Sequence, residues 1–155
     1  MRRFAAVLAA ALAIGAAPAR ADPYEAEPDL AKRDADYAAA REAIAKKDWE
    51  EAARRLERTA VREPDSADLH NLLGYSYRNL GRYELAFKHY RRALEIDPRH
   101  RGAHEYLGET YLLTNDLPGA QRHLAALREI CLLPCEELGD LERAIAAYRK
   151  AGPSR

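Results

Sequence analysis

The same residue types return every 34 positions along this chain. Ala52, Ala86 and Ala120 are spaced in this way, as are Pro64 and Pro98, Gly74 and Gly108, and Tyr77 and Tyr111. An internal period of this size marks a unit too small to bury its own apolar face, so that copies must stack on one another. Stability then comes from contacts between neighbouring units, and the fold grows in one dimension. Such arrays generally present surfaces to other proteins, so the period constrains the class of function as well as the fold.

Within each period the apolar residues have helical spacing. In the first unit, 33–66, Tyr37, Ala40, Ala43 and Ile44 share one face. Asp48 then opens a second helix, with Glu51 three residues later, and Ala52, Ala53, Leu56 and Ala60 form its stripe before Pro64. The second unit, 67–100, carries Leu69, Leu72, Leu73, Tyr77 and Leu80, then Gly81 as a turn residue. Its second helix uses Tyr83, Ala86, Phe87, Tyr90, Ala93 and Leu94 and stops at Asp97-Pro98. The third unit, 101–134, uses Ala103, Tyr106, Leu107, Tyr111 and Leu112, turns at Asn115-Asp116, and continues through Ala120, Leu124, Leu127 and Ile130. Pro118 falls in the first turn of that last helix, where a missing N–H costs little. The period then fails: Cys131-Leu132 stands where the earlier units have Glu63-Pro64 and Asp97-Pro98. Residues 135–155 offer one more amphipathic helix through Leu138, Leu141, Ala144, Ile145 and Tyr148, suited to cap the end of a stack.

Leu72-Leu73-Gly74-Tyr75-Ser76-Tyr77, Gly81-Arg82-Tyr83, Ala86, Tyr90, Ala93-Leu94 and Asp97-Pro98 closely resemble the tetratricopeptide repeat pattern. The third unit repeats it at Tyr106-Leu107-Gly108, Tyr111, Asp116-Leu117 and Ala120. The first unit has Ala40 at the small-residue position and follows the pattern at Trp49, Ala52, Leu56 and Pro64. The resemblance implies an all-α solenoid of three antiparallel helix pairs with a C-terminal capping helix. Gly74, Gly108 and the three phased alanines would then allow close approach within each pair. Tyr77, Tyr83, Phe87, Tyr111 and Trp49 would fill the space between pairs. It also implies a concave groove lined by the first helices, presenting Tyr37, Arg41, Asn71, Tyr75, Arg78, Glu105 and Glu109, with Leu112 deeper. Such a mixture suits an extended peptide or a partner helix. Some members of the family hold a C-terminal carboxylate with a Lys/Asn clamp; Tyr37 and Arg41 occupy its first positions here, which argues against that activity.

The ends of the chain differ from the array. Met1-Arg2-Arg3, the uncharged stretch Phe4–Ala17, Pro18 and Ala19-Arg20-Ala21 read as a secretory signal peptide cut after Ala21. The apolar stretch is shorter than the roughly 20 residues that a membrane-spanning helix needs. Residues 22–32, with Pro23, Pro28 and several acids, read as a flexible acidic leader. The expected location is therefore outside the cytoplasm, in a bacterial periplasm, with no stable membrane anchor after cleavage. Removing residues 1–21 takes away three arginines and no acid from a chain of 25 basic and 25 acidic residues, leaving a net charge of −3. This is not the clustered basic excess of a nucleic-acid-binding protein.

Two cysteines, Cys131 and Cys135, occupy the break in the period. In an exported chain an even count favours a disulfide that pins the third unit to the last helix. The alternative is a thiol-redox or soft-metal site, for instance for copper(I). The spacing excludes C-x-x-C-H haem attachment. Of the five histidines, His70 and His104 recur with the repeat, as do His89 and His123, and repetition explains these matches without a metal site. No catalytic signature is present. The expected function is thus a non-enzymatic, cofactor-free scaffold for a protein or peptide partner, with self-association as a further possibility.

Overall fold

The computed structural model describes residues 28–152. Eight helices follow one another in chain order. They are α1 (Pro28–Arg33), α2 (Ala35–Ala45), α3 (Trp49–Arg62), α4 (Ala67–Asn79), α5 (Tyr83–Ile96), α6 (Arg101–Leu113), α7 (Leu117–Ile130) and α8 (Glu136–Ala151). The pairs α2/α3, α4/α5 and α6/α7 are antiparallel, and each stacks on the next; α8 closes the stack against α6 and α7. The expected all-α solenoid of three pairs and a final helix is the observed fold.

The 34-residue period extends to backbone geometry. Lys47, Gly81 and Asn115 all have positive φ, at 59°, 71° and 61°. At each site the first helix of a pair ends in the same way. The N–H groups of Asp48, Arg82 and Asp116 donate to the carbonyls of Ala43, Tyr77 and Tyr111 at 2.9, 2.9 and 2.8 Å. This six-to-one bond satisfies carbonyls that a helix end would otherwise leave open, and it sets the sharp reversal into the second helix. Asp48 and Asp116 then cap the next helix, accepting from the N–H groups of Glu51 and Gly119.

A second periodic device was not legible as such in the sequence. His70 on α4 faces His89 on α5, Nδ1 to Nδ1 at 3.1 Å, and His104 faces His123 at 2.9 Å. The other ring nitrogens of His70 and His104 lie 3.0 and 3.1 Å from the carbonyls of Pro64 and Pro98. A carbonyl only accepts, so each Nε2 carries the proton and each Nδ1 accepts from the partner imidazole. Tyr77 stacks on His89 and Tyr111 on His123. Both pairs are therefore neutral links between the two helices of a unit. Burial, and then the partner ring, hold His89 and His123 at about 4, below the usual histidine value of 6.5. The folded state thus binds fewer protons than the unfolded chain in this window. The stabilisation is complete above pH ~6.5 and is lost as the pH falls through ~4. Urea unfolding from pH 7 to 4 should show stability falling with pH. Replacing His89 and His123 by Asn, which can donate but does not titrate, should flatten that slope; an unchanged slope would assign acid sensitivity to the carboxylates instead.

Two expectations are corrected. Residues 28–33, placed in or beside a flexible leader, form helix α1, and Leu30 is fully buried in the core formed by the first two units. Leu30 shares this core with Tyr37 and Leu56, and its burial favours order in a segment whose composition reads as polar. The rest of the leader and the expected signal peptide lie outside the described residues. The second correction concerns Gly108. Gly74 admits the ring of Tyr90 from its own pair, as expected, but Gly108 admits Leu141 of α8. The small residue of the third unit is used to seat the closing helix.

Cys131 and Cys135 form a disulfide. It joins the end of α7 to the residue preceding α8, while Leu132 and Leu133 project from the loop. Closing so short a loop restricts the unfolded chain little, so replacing both cysteines by serine should cost no more than ~2 kcal/mol in the chain-entropy model. Urea unfolding checks this, and a loss well above that figure would mean that the bridge holds α8 in place.

Candidate functional site

The first helices of successive units lie side by side, because each unit reverses at the same positive-φ turn. Residues 34 apart on α2, α4 and α6 therefore form rows. One row contains Tyr37, Asn71 and Glu105; the next, one turn on, contains Arg41, Tyr75 and Glu109; the third includes Arg78 and Leu112. All the groove residues expected from the sequence fall in these rows, but they differ in environment.

The middle of the surface is aromatic. Trp49 at the start of α3 meets Tyr75 edge-on, with ring centroids 5.5 Å apart, and Tyr75 lies 5.0 Å from Tyr106 of α6. The guanidinium of Arg78 lies 5.1 Å from the centroid of each tyrosine ring and donates to Glu109. Its side chain is only 13% exposed. The two ring faces and the carboxylate thus offset the cost of holding this cation largely out of water.

A hollow opens on each side of this centre. One, of about 190 Å³, is bounded by Tyr37, Arg41, Asp68, Asn71, Leu72, His100 and Tyr106. Here Tyr37 departs from expectation: its ring is fully buried and belongs to the core, so it forms the floor and offers little to a ligand. Arg41 is exposed at the rim. His100 caps α6, its Nδ1 accepting from the Ala103 N–H, and its Nε2 donates to Asp68 at 2.8 Å. The other hollow, of about 370 Å³, lies between Arg78, Asn79, Glu109, Leu112, Leu113 and Ala144 of α8. The exposed Leu113 makes it the more apolar of the two.

Two buried polar groups share the first row, and one of them, Asn71, lines the smaller hollow. Asn71 is 8% exposed, and its Oδ1 has no hydrogen-bond partner. Glu105 is 7% exposed and stands one turn before Glu109. Burial, with the neighbouring Glu109 and Glu137, pushes its carboxyl up to about 8. The sequence reading reached Asn71 and Glu105 through repeat position, but it missed Trp49 and Tyr106 as groove residues. Both had been assigned to packing, because aromatic type and helical spacing are the same in a core and along a binding surface.

Tetratricopeptide repeat models match residues 37–101, 77–130 and 135–151. The last match covers α8, so the closing helix itself carries repeat sequence. No curated protein matches the chain in sequence. Among solved structures, the chain is similar to the Yersinia enterocolitica type III secretion translocator chaperone SycD, described as an alternative dimer. The TM-score is 0.66 at 19% identity, over 82% of this chain and 94% of that one. That likeness concerns the fold. From these matches and the phased helix pairs, the chain belongs to the tetratricopeptide repeat family, as a non-enzymatic scaffold for protein–protein interaction.

Proposed function

We propose that this protein is an exported, periplasmic adaptor that holds a partner protein along the concave face of α2, α4 and α6. The observation that carries the reading is the run Trp49–Tyr75–Tyr106 with Arg78 laid across both tyrosines. Aromatic rings and arginine supply much of the binding energy at protein interfaces. Hollows on both sides leave room for side chains of an extended segment or a helix. SycD, with the same fold, is described as a chaperone of secretion translocators; a client-holding role is the corresponding proposal here. Export is supported by the basic, apolar and small-residue order of residues 1–21 and by the disulfide, which suits an oxidising compartment. A soft-metal role is not favoured, because such a site needs both sulfurs as thiolates and here they are bonded to each other.

The test is capture of partners from envelope extract by the native chain and by a variant carrying Tyr75→Ala, Arg78→Ala and Glu109→Ala. Loss of the captured proteins from a variant that keeps its helical circular dichroism is expected. Capture that survives all three changes would move the binding surface elsewhere. Fractionation of the native host, with N-terminal sequencing, should find mature protein beginning at Asp22 outside the cytoplasm.

A further inference from the structure

The groove carries more hydrogen-bond acceptors than donors at one place. Asn71 on α4 packs against α6 where Gly102 leaves space, its Nδ2 3.3 Å from the position a Cβ would occupy. Glu105 is three residues further along α6, one helical turn away. Its carboxylate has no hydrogen bond or ion pair among the described residues, and Asn71 Oδ1 is also without a partner. A fully enclosed acceptor such as Asn71 Oδ1 is rare, because it gives up water without compensation.

The charges nearby have the same sign of excess. Glu105 faces Glu109 on its own helix and Glu136 and Glu137 at the start of α8, while Arg78 approaches from α4. Arg78 is engaged by Glu109, and Arg101 lies 3.9 Å from Glu137. Four acids therefore meet two cations; among the described residues Glu105 and Glu136 have no counterion, and of these two only Glu105 is buried. Tyr106, next to it in sequence, and Tyr75 present ring faces on which Arg78 already shows how a flat cation rests.

Resting on the groove reading above, we propose that this site receives a lysine or arginine side chain of the bound partner. The alkyl stem would lie along Tyr106, and the cationic head would donate to Glu105. Asn71 Oδ1 would accept a further N–H, from the same head or from the partner backbone. The partner class is thus a segment with a basic residue set among apolar ones, whose apolar neighbours enter the hollow beside Leu112 and Leu113. An acidic residue at that position would meet the excess negative charge of Glu109, Glu136 and Glu137 and be rejected, while a neutral one would forgo the ion pair.

The probe is a phage-displayed library of random nonapeptides selected on the full chain, followed by synthetic copies of enriched sequences in lysine and norleucine forms. Enrichment of Lys or Arg at one position is expected. The lysine form should bind ~10-fold more tightly than its norleucine copy, a difference typical of one charge-assisted hydrogen bond. Glu105→Gln should abolish that difference, while Tyr75→Ala weakens both forms. The neutral, nearly isosteric Gln keeps the fold, which thermal unfolding verifies. If lysine and norleucine forms bind equally, or the tenfold difference survives Glu105→Gln, the cation site is wrong, even where Tyr75→Ala still shows binding in the groove. Peptides indifferent to Tyr75→Ala would overturn the groove reading itself, and failure to select any peptide would overturn both.

Discussion

Glu105→Gln should stabilise the protein at alkaline pH and leave it unchanged in acid. Burial, and then Glu109 and Glu137, push the Glu105 carboxyl from its ordinary 4.5 up to about 8. A group that holds its proton more tightly in the folded state contributes fully below the unfolded value. That contribution is lost as the pH rises through the folded value. Gln has no proton to lose, so wild type and variant should coincide near pH 4.5 and diverge up to pH ~8, with a constant gap above. The gap should be roughly 2 kcal/mol, because the side chain keeps some access to water, which screens part of the charge. Urea unfolding of both forms at pH 5, 7 and 9 measures it. The histidine pairs, which lose their contribution in acid, are common to both proteins and cancel in the difference. Equal stabilities at pH 9 would mean that Glu105 is compensated and would remove the physical basis of the cation site. The cost of this carboxylate in the free protein is the counterpart of its use in binding: a group optimised for stability alone would be neutral here.

Gly74→Ala should be the more damaging of two chemically identical changes. A Cβ at Gly74 would stand 2.6 Å from two carbons of the Tyr90 ring and 2.9 Å from a third. Tyr90 is fully buried, and the conflict is with the body of the ring. A rigid ring with no free volume behind it cannot yield, so α4 and α5 must separate. Overpacking of this kind costs ~1–3 kcal/mol or more, which outweighs the ~1 kcal/mol that alanine gains over glycine inside a helix. A net loss of about 2 kcal/mol and a fall in Tm of several degrees are expected. Gly108→Ala makes a contact of 2.7 Å, but with the terminal methyls of Leu141, which can rotate away. It should cost less than 1 kcal/mol. Thermal unfolding of the two variants side by side is decisive: equal losses would show that the ring of Tyr90 is not the rigid element.

Much of this protein is determined by its sequence alone, and the reason is periodicity. The positions of Lys47, Gly81 and Asn115 follow from the 34-residue repeat, and with them the reversals that make three antiparallel pairs. The stripes of Leu69, Leu73 and Tyr77, or Ala52, Ala53 and Leu56, tell which face of each helix is buried. The rows of the groove follow as well, because residues one period apart must stand side by side. Tertiary structure decided what pattern cannot encode. Leu30 is buried from a short helix that has no counterpart one period on, so no repeat announces it. Tyr37 and Tyr75 are both first-helix tyrosines, yet the first is fully buried in the core and the second lies on the groove with Trp49 and Tyr106. Trp49 and Tyr106 have the type and spacing of core residues, and only the fold sets both against Tyr75 on the groove. The imidazole pairs require both helices of a unit to be in place. Glu105 is an ordinary surface glutamate by sequence. It becomes a buried, uncompensated acid through packing of the stack, with Glu109 on its own helix and then Glu137 of α8 adding like charge. Repetition fixes what neighbouring units share; burial and electrostatics at the ends depend on what the last helix on each side covers.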